Sequence, residues 1–293
     1  MSITNVQANP VHDNALWAMD RFPIPLPPPP RADASQFTAD DLYQEGGPVP
    51  EDIGQNSIGD CYYVASLGAL ANTEAGRQHI RDSISYDPDT GNYTVTLYVK
   101  GPFGVPVPVQ VEVTQAELQD NIERGGGSNL DNNGGEGALW PAVMETAFAK
   151  LNDSNPANGL DEGYREISGG KARDAMFTLT GTDGDDVSNA FVSTFGPDVA
   201  YEVIRQAMAD GRPVTLSTDP ENKGAPEDGL ADNHVYVVEE IYKDEDGQVM
   251  VTLRNPWGQN NTEGKTNDNP LITVPLEQIT EDGGFEYFNI GPN

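Results

Sequence analysis

The chain has 293 residues and carries 47 acidic against 16 basic side chains, a formal charge of −31 at pH 7. Such a surface repels phosphate backbones and anionic headgroups over a Debye length or more, which argues against nucleic acid and membrane as partners. Hydrophobic residues at 37% supply an ordinary core, while 31 glycines and 23 prolines predict many loops.

The N-terminus has no basic, apolar leader, and no run of about 18 apolar residues occurs. The expected location is therefore the cytoplasm, or outside the cell by a route without a cleavable leader. The first 44 residues contain FPIPLPPPPRAD (Phe22 to Asp33), whose prolines impose an extended backbone, and are expected to form a tail or spacer.

From Asp60 the pattern changes. Asp60 is placed to cap a helix beginning at Cys61, with Val64, Leu67, Leu70 and Ala71 on its apolar face. Tyr93–Val99 and Val105–Val113 read as strands, the second confined to a sheet edge by Pro106 and Pro108. Residues 125–137 are a loop, and Ala138–Asn152 a helix with Trp140, Val143, Met144, Ala147 and Leu151 along one stripe. After a DGDD turn at residues 183–186, a helix ends at Gly211 and feeds the strand Pro213–Thr218. A hairpin joins His234–Tyr242 to Gln248–Asn255, and Ile272–Leu276 and Phe285–Ile290 supply further strands. A helix-rich first lobe thus precedes a sheet-rich second lobe.

Cys61 is the only cysteine, which excludes an internal disulfide and a multi-thiolate zinc site. A lone cysteine on an apolar helix is commonly a small buried hydrophobe, but a helix N-terminus also favours thiolate. Gln55 lies six residues upstream, with Gly59 where the chain must turn, so its amide and the Cys61 N–H are candidates to hold a developing oxyanion. A plain loop role is the alternative for Gln55. Downstream, the hairpin brings His234 and Asn255 side by side: the carboxamide accepts from one imidazole nitrogen and leaves the other to take the thiol proton, with Trp257 shielding the bond. His12 and His79 lack such company and read as surface histidines.

Cys, His and Asn in this order form the papain-type arrangement. The segment GQNSIGDCYYVASLGALA resembles the catalytic-cysteine segment of calpains. ALWPAVMETAFAKLN is similar to that family's helix beginning with an aromatic-Trp pair, and LRNPWG matches its asparagine motif. Weaker similarity in YREISGG and LTGTDG extends the resemblance over roughly residues 45 to 293. It implies an α+β papain-like fold of two lobes, a first lobe at 45–185 with the nucleophile and a second at 186–293 with His and Asn. It implies oxyanion donor Gln55, nucleophile Cys61, base His234, orienter Asn255 and shield Trp257. Tyr62 stands where calpains usually have Trp, and Asn233 and Val235 flank the histidine where Gly and Ala are usual.

The resemblance also raises calcium, which calpain cores bind in both lobes to bring the half-sites into register. Asp52 occupies a position that carries a calcium-binding Asp, and Gly47 one that offers a backbone carbonyl. However, Ala138 replaces the acidic residue expected before Leu139–Trp140, with Glu136 nearby, and QNNTEGKTNDN after Trp257 lacks the acidic-aromatic run of the second site. The expectation is a monomeric cysteine endopeptidase acting on protein or peptide, needing no cofactor for chemistry and with calcium a candidate activator through Asp52 and Gly47. The alternatives are an acyltransferase using the same triad and a catalytically silent binding protein.

Overall fold

The computed structural model describes residues 37–130, 137–219, 229–262, 265–281 and 283–293. The proline run, His12 and Glu136 lie outside them. Two hydrophobic cores organise the described residues, one built mostly from Phe37 to Leu179 and one from Val187 to Ile290. Phe37 and Leu42 belong to the first, so packing begins upstream of the calpain-like segment.

At the centre of the first core lies helix α1 (Cys61–Ala71), buried at every residue from Tyr62 onward. The predicted stripe is there, but the sequence CYYVASLGALA is apolar all round, and such a helix has no face to give to water. Its hydroxyls are all bonded: Ser66 donates to the Tyr62 carbonyl at 2.7 Å, Tyr62 to the Ile167 carbonyl at 3.0 Å and Tyr63 to the Met144 carbonyl at 3.1 Å. Asp60 sits at the N-cap position without capping: its carboxylate accepts nothing from the first turn and is held by Gln55 instead.

Helix α2 (Glu74–Ser83), capped by the Thr73 hydroxyl, leads into an antiparallel sheet of β1 (Ile84–Asp87), β2 (Asn92–Lys100) and β3 (Pro106–Val113) in that order. β3 is at the edge, where two residues without N–H cost the ladder nothing. Helix α3 (Gln115–Glu123) follows a Thr114/Glu117 capping box. Helix α4 (Trp140–Asn152) is buried continuously from Trp140 to Ala149, not along a single stripe, because it is enclosed by α1, α3, β2, β3 and helix α5 (Asp161–Glu166). That enclosure includes Glu145. Helix α6 (Ala172–Thr180) then packs on α1 and ends at Gly181, whose φ of +79° is left-handed.

The expected turn at 183–186 is shorter: Asp185 and Asp186 already belong to strand β4 (Asp185–Ser188). Helices α7 (Asn189–Phe195) and α8 (Pro197–Ala209) precede strand β5 (Val214–Thr218). Strands β6 (Val235–Lys243) and β7 (Val249–Arg254) form the expected hairpin. A ribbon of β8 (Asn260–Thr262) and β9 (Lys265–Asn267) leads to β10 (Leu271–Pro275), helix α9 (Leu276–Glu281) and β11 (Phe285–Ile290). The large sheet has six antiparallel strands in the order β10-β7-β6-β5-β11-β4. The architecture is the expected α+β, papain-like one. None of the described helices is long and apolar enough to cross a membrane.

The cores meet where α1 lies on β6. Val235 and Val237, although strands of the second sheet, bury their side chains in the first core. The approach is close because Gly68 has no side chain: a Cβ there would fall 2.8 Å from Val237 Cγ2. Replacing Gly68 by Val must therefore push α1 off β6, at a cost of about 1–3 kcal/mol. Urea unfolding is expected to show that loss, and an unchanged midpoint would mean that the helix and strand are not in tight contact.

Candidate active site

Strand pairing alone brings His234 and Asn255 together. β6 and β7 are antiparallel with Val237 opposite Arg254, so the residue region before β6 and the residue after β7 share one end of the sheet. Asn233 precedes the histidine at φ +49°, a left-handed conformation that asparagine tolerates, which explains how it stands where glycine is usual. Thr218, at the end of β5, clasps the histidine's backbone: its hydroxyl accepts from the His234 N–H at 2.9 Å and donates to the Ala231 carbonyl at 2.8 Å. Sequence reading had no signal for Thr218, because the contact joins strands 16 residues apart.

His234 Nε2 lies 2.9 Å from Asn255 Oδ1. That oxygen also accepts the Trp257 N–H at 3.0 Å, while Asn255 Nδ2 donates to Asn260 Oδ1 at 3.3 Å. Asn260 in turn donates to the Asn269 carbonyl at 2.8 Å. This chain fixes which end of the Asn255 amide faces the ring. Nε2 must then carry the hydrogen, and Nδ1 keeps its lone pair. The Trp257 ring covers the pair, its centroid 4.2 Å from that of the imidazole. Asn260 lies in the run singled out only for lacking an acidic-aromatic pattern.

Cys61 starts α1, as expected, and remains partly exposed. Its sulfur receives the backbone N–H groups of Tyr62 and of Val235, the residue after His234. Enclosure nonetheless pushes the thiol up to about 12, overriding those donors, with Asp60 adding to the rise. Burial likewise pulls His234 down to about 4 against the opposing pull of Asn255. In this arrangement thiol and imidazole are both neutral at physiological pH.

Gln55 is 4% exposed, and both hydrogens of its amide are engaged, one by the Ile58 carbonyl at 2.7 Å and one by Asp60 Oδ1 at 3.2 Å. Its amide is held inward by both bonds. Gly59 is exposed; its carbonyl takes the Gly169 N–H at 2.9 Å, and a Cβ there would strike Ser168 Oγ at 2.6 Å. Tyr62 uses its hydroxyl to hold the Ile167 carbonyl at 3.0 Å, which ties the YREISGG segment to the nucleophile helix. His79 is half-buried with its ring bonded to the Leu179 carbonyl at 2.8 Å, so it is not the surface histidine expected.

Behind the nucleophile, Asp60 and Glu145 are both fully buried. Glu145 Oε2 accepts from Asn121 Nδ2 at 2.5 Å and from the Gly127 N–H at 3.0 Å. The remaining oxygens, Asp60 Oδ2 and Glu145 Oε1, have no donor among the described residues, and the two carboxyl groups bond one another. Two bare carboxylates cannot do this, so they hold a proton between them. Burial first, and then their mutual repulsion at Asp60, drive both groups above the ordinary carboxylate range.

The residues named for calcium do not fit it. Asp52 is 1% exposed, and its Oδ2 accepts the Trp140 indole N–H at 2.7 Å and the Val49 N–H at 3.0 Å. Gly47 abuts the guanidinium of Arg81, which donates to the Gly46 carbonyl at 3.2 Å; a Cβ on Gly47 would lie 2.0 Å from Arg81 Nη2. A cation already occupies that loop, and hard divalent ions need several free oxygens. Among the described residues no group of three or more His, Cys, Asp or Glu side chains is placed to hold a metal.

Comparison with known proteins finds relatives of this chain. The family model described as calpain family cysteine protease matches residues 33–271. The chain is 26% identical over 258 residues to the calpain-2 catalytic subunit of Gallus gallus, covering 82% of this chain and 34% of that protein. It is 25% identical to the Mus musculus calpain-2 catalytic subunit, with 86% and 35% covered, and 26% identical to calpain-8 of Rattus norvegicus, with 82% and 33% covered. The chain thus spans about a third of the length of these relatives.

The shared proton has a testable sign. The folded-state pKa values of the carboxyl pair lie above the unfolded ones, so stability is lost as pH rises beyond the ordinary carboxylate range. Glu145→Gln offers an N–H where Oε1 now faces Asp60 and keeps an oxygen for Asn121 and Gly127. Its melting temperature is expected to exceed that of the wild type by roughly 2–4 °C at about pH 8 and to match it at about pH 4.5. A difference independent of pH would exclude the shared proton. His234 acts in the opposite sense: its folded value of about 4 lies below the ordinary 6.5, so stability falls as pH drops across that interval in wild type but not in His234→Phe, read by the same melts.

Proposed function

The chain belongs to the calpain family of cysteine proteases, and from that premise we propose that it is an endopeptidase that hydrolyses protein chains through a thioester on Cys61. The observation that carries this reading is the 2.9 Å contact of His234 Nε2 with Asn255 Oδ1, at the sheet end where the Val235 N–H meets the Cys61 sulfur. It leaves Nδ1 unprotonated, and the thiol stands at a helix N-terminus in contact with the residue that follows the histidine.

In the proposed reaction Sγ attacks the scissile carbonyl carbon as its proton passes to Nδ1, which suits a pair that is neutral at rest. Negative charge developing on the carbonyl oxygen is met by the Cys61 N–H, an orphan of the first helical turn, and by Gln55. For Gln55 to serve, one N–H must leave Asp60 or Ile58, and the contact with Asp60 is the longer. The imidazolium then gives its proton to the departing amine. Water, activated by His234, hydrolyses the thioester and restores the thiol. Asn255 keeps the ring oriented and stabilises its charged form, while Trp257 excludes water from the bond. The two half-sites fall in the proposed lobes at 45–185 and 186–293.

No step needs a metal. The substrate class proposed is an unfolded or extended protein segment, since a strand-like peptide is what a cleft between a helix N-terminus and a sheet end admits.

Cys61→Ala is expected to fold normally and to abolish cleavage of casein and labelling by a thiol-directed epoxide. His234→Ala should cost nearly as much, about 10³-fold or more, and Asn255→Ala less, because it orients the base and transfers no proton. Turnover in Cys61→Ala equal to that of the wild type, measured on the same preparation, would sink the protease reading.

A further inference from the structure

Arg254 ends β7 one residue before Asn255, and its side chain is only 12% exposed. Its Nε donates to Glu239 on the neighbouring strand β6, and its Nη2 donates to Glu51 Oε1 at 2.5 Å. Glu239 is itself largely buried, whereas Glu51 is 60% exposed. The two carboxylates come from opposite sides of the cleft. Glu239 stands in the sheet that carries His234; Glu51 stands four residues before Gln55 and ten before Cys61, in the segment that packs with the first core.

The segment holding Glu51 is stiff. Asn129 Nδ2 donates to the Glu51 carbonyl at 2.8 Å, the Asn129 N–H to the Asp52 carbonyl at 2.9 Å, and the Gly54 N–H to the Gly127 carbonyl at 2.9 Å. A pull on Glu51 is therefore transmitted to Gln55. A second tie crosses at the same place: the Gln55 N–H donates to the Pro256 carbonyl at 2.8 Å, one residue past Asn255. Without Arg254, Glu51 and Glu239 would face each other as like charges in a chain of formal charge −31. A guanidinium suits this position because its planar fork presents N–H groups in two directions, which an ammonium on a flexible stem does not.

We infer that Arg254 is a positioning residue, the protein's own cation that holds the Gln55–Cys61 half-site in register with the His234–Asn255 half-site. The inference rests on the protease reading for its effect on rate, but the clamp itself is a property of the fold. It also accounts for how the site is assembled although Asp52 and Gly47 are committed to Trp140 and Arg81: registration is supplied from within the chain.

The test uses the full chain in excess chelator, with peptide turnover, melting and amide hydrogen exchange measured in parallel on wild type, Glu51→Gln, Arg254→Lys and the double variant. Glu51 is exposed, so Glu51→Gln should melt with the wild type. It is expected to lose roughly fivefold in kcat with KM unchanged, the rate equivalent of a strong part-exposed ion pair. Arg254→Lys should lose at least as much, and Glu51→Gln should add nothing on that background. Raising salt to about 0.5 M should lower wild-type kcat and leave Glu51→Gln unmoved, because the exposed limb is screened. Independently of turnover, exchange at the Gln55 amide should quicken about fivefold in Glu51→Gln while the Gly54 amide, bonded within its own side, stays unchanged. Wild-type values of both kcat and Gln55 exchange in Glu51→Gln would overturn the inference, as would a wild type inert in chelator and switched on by added calcium. If no variant cleaves any peptide and Cys61 resists the epoxide, the protease reading fails, and the Gln55 exchange decides the clamp alone.

Discussion

Everything at this site depends on how closely helix α1 can lie against strand β6. Cys61 belongs to the helix and His234 is the residue before the strand, and helix and strand meet at the seam between two hydrophobic cores. Gly68 removes the one side chain that would hold helix and strand apart, and Val235 and Val237 fill the seam with aliphatic surface. Close packing of this kind has little slack, because interiors are as dense as organic crystals. The position of Cys61 relative to His234 is thus a consequence of core packing, with polar ties added at the rim. Those ties are the Val235 N–H on the sulfur, the Gln55 N–H on Pro256 and the Glu51–Arg254–Glu239 network.

The same enclosure governs the electrostatics. Burial raises the thiol, lowers the imidazole and makes Asp60 and Glu145 hold a proton, all three effects favouring neutral groups where water is excluded. The formal charge of −31 does not gather at this site. Instead, Asp60 and Glu145 share a proton, and most of the other described acids lie in solvent, where salt screens them. Gln55 is coupled to this pair through Asp60, so its amide and the buried carboxyls form one network. Its reach extends from Asn121 and Gly127 to the cleft.

Asp52 shows how a residue can keep its place in a motif and change its work. The carboxylate that the calpain resemblance suggests for calcium is turned inward to the Trp140 indole and the Val49 amide, bracing the segment that leads to Gln55. A few residues upstream, the guanidinium of Arg81 fills the space beside Gly47. Both changes put fixed protein hydrogen bonds where the family resemblance implies an ion. Asn233 is a smaller instance: asparagine in a left-handed conformation takes a place usual for glycine and leaves the histidine where it is needed.

The sequence by itself determined the fold class, the order of the chemical groups and the pairing of His234 with Asn255. Those features are local or nearly so: hydrophobic periodicity marked α1 and the β6–β7 hairpin, and a hairpin of known ends places its flanking residues together. Only the tertiary structure decided that α4 is buried on all sides, that Asp60 bonds Gln55 and Glu145 and caps nothing, that Asn260 orients Asn255, and that Thr218 clasps His234. It also decided the pairing of Glu51 with Arg254 across 203 residues. The physical reason is the same in each case. A side chain's partners are chosen by whichever elements fold against it, and a carboxylate or amide carries no sign in the sequence of whether it will meet water, a metal or a distant neighbour.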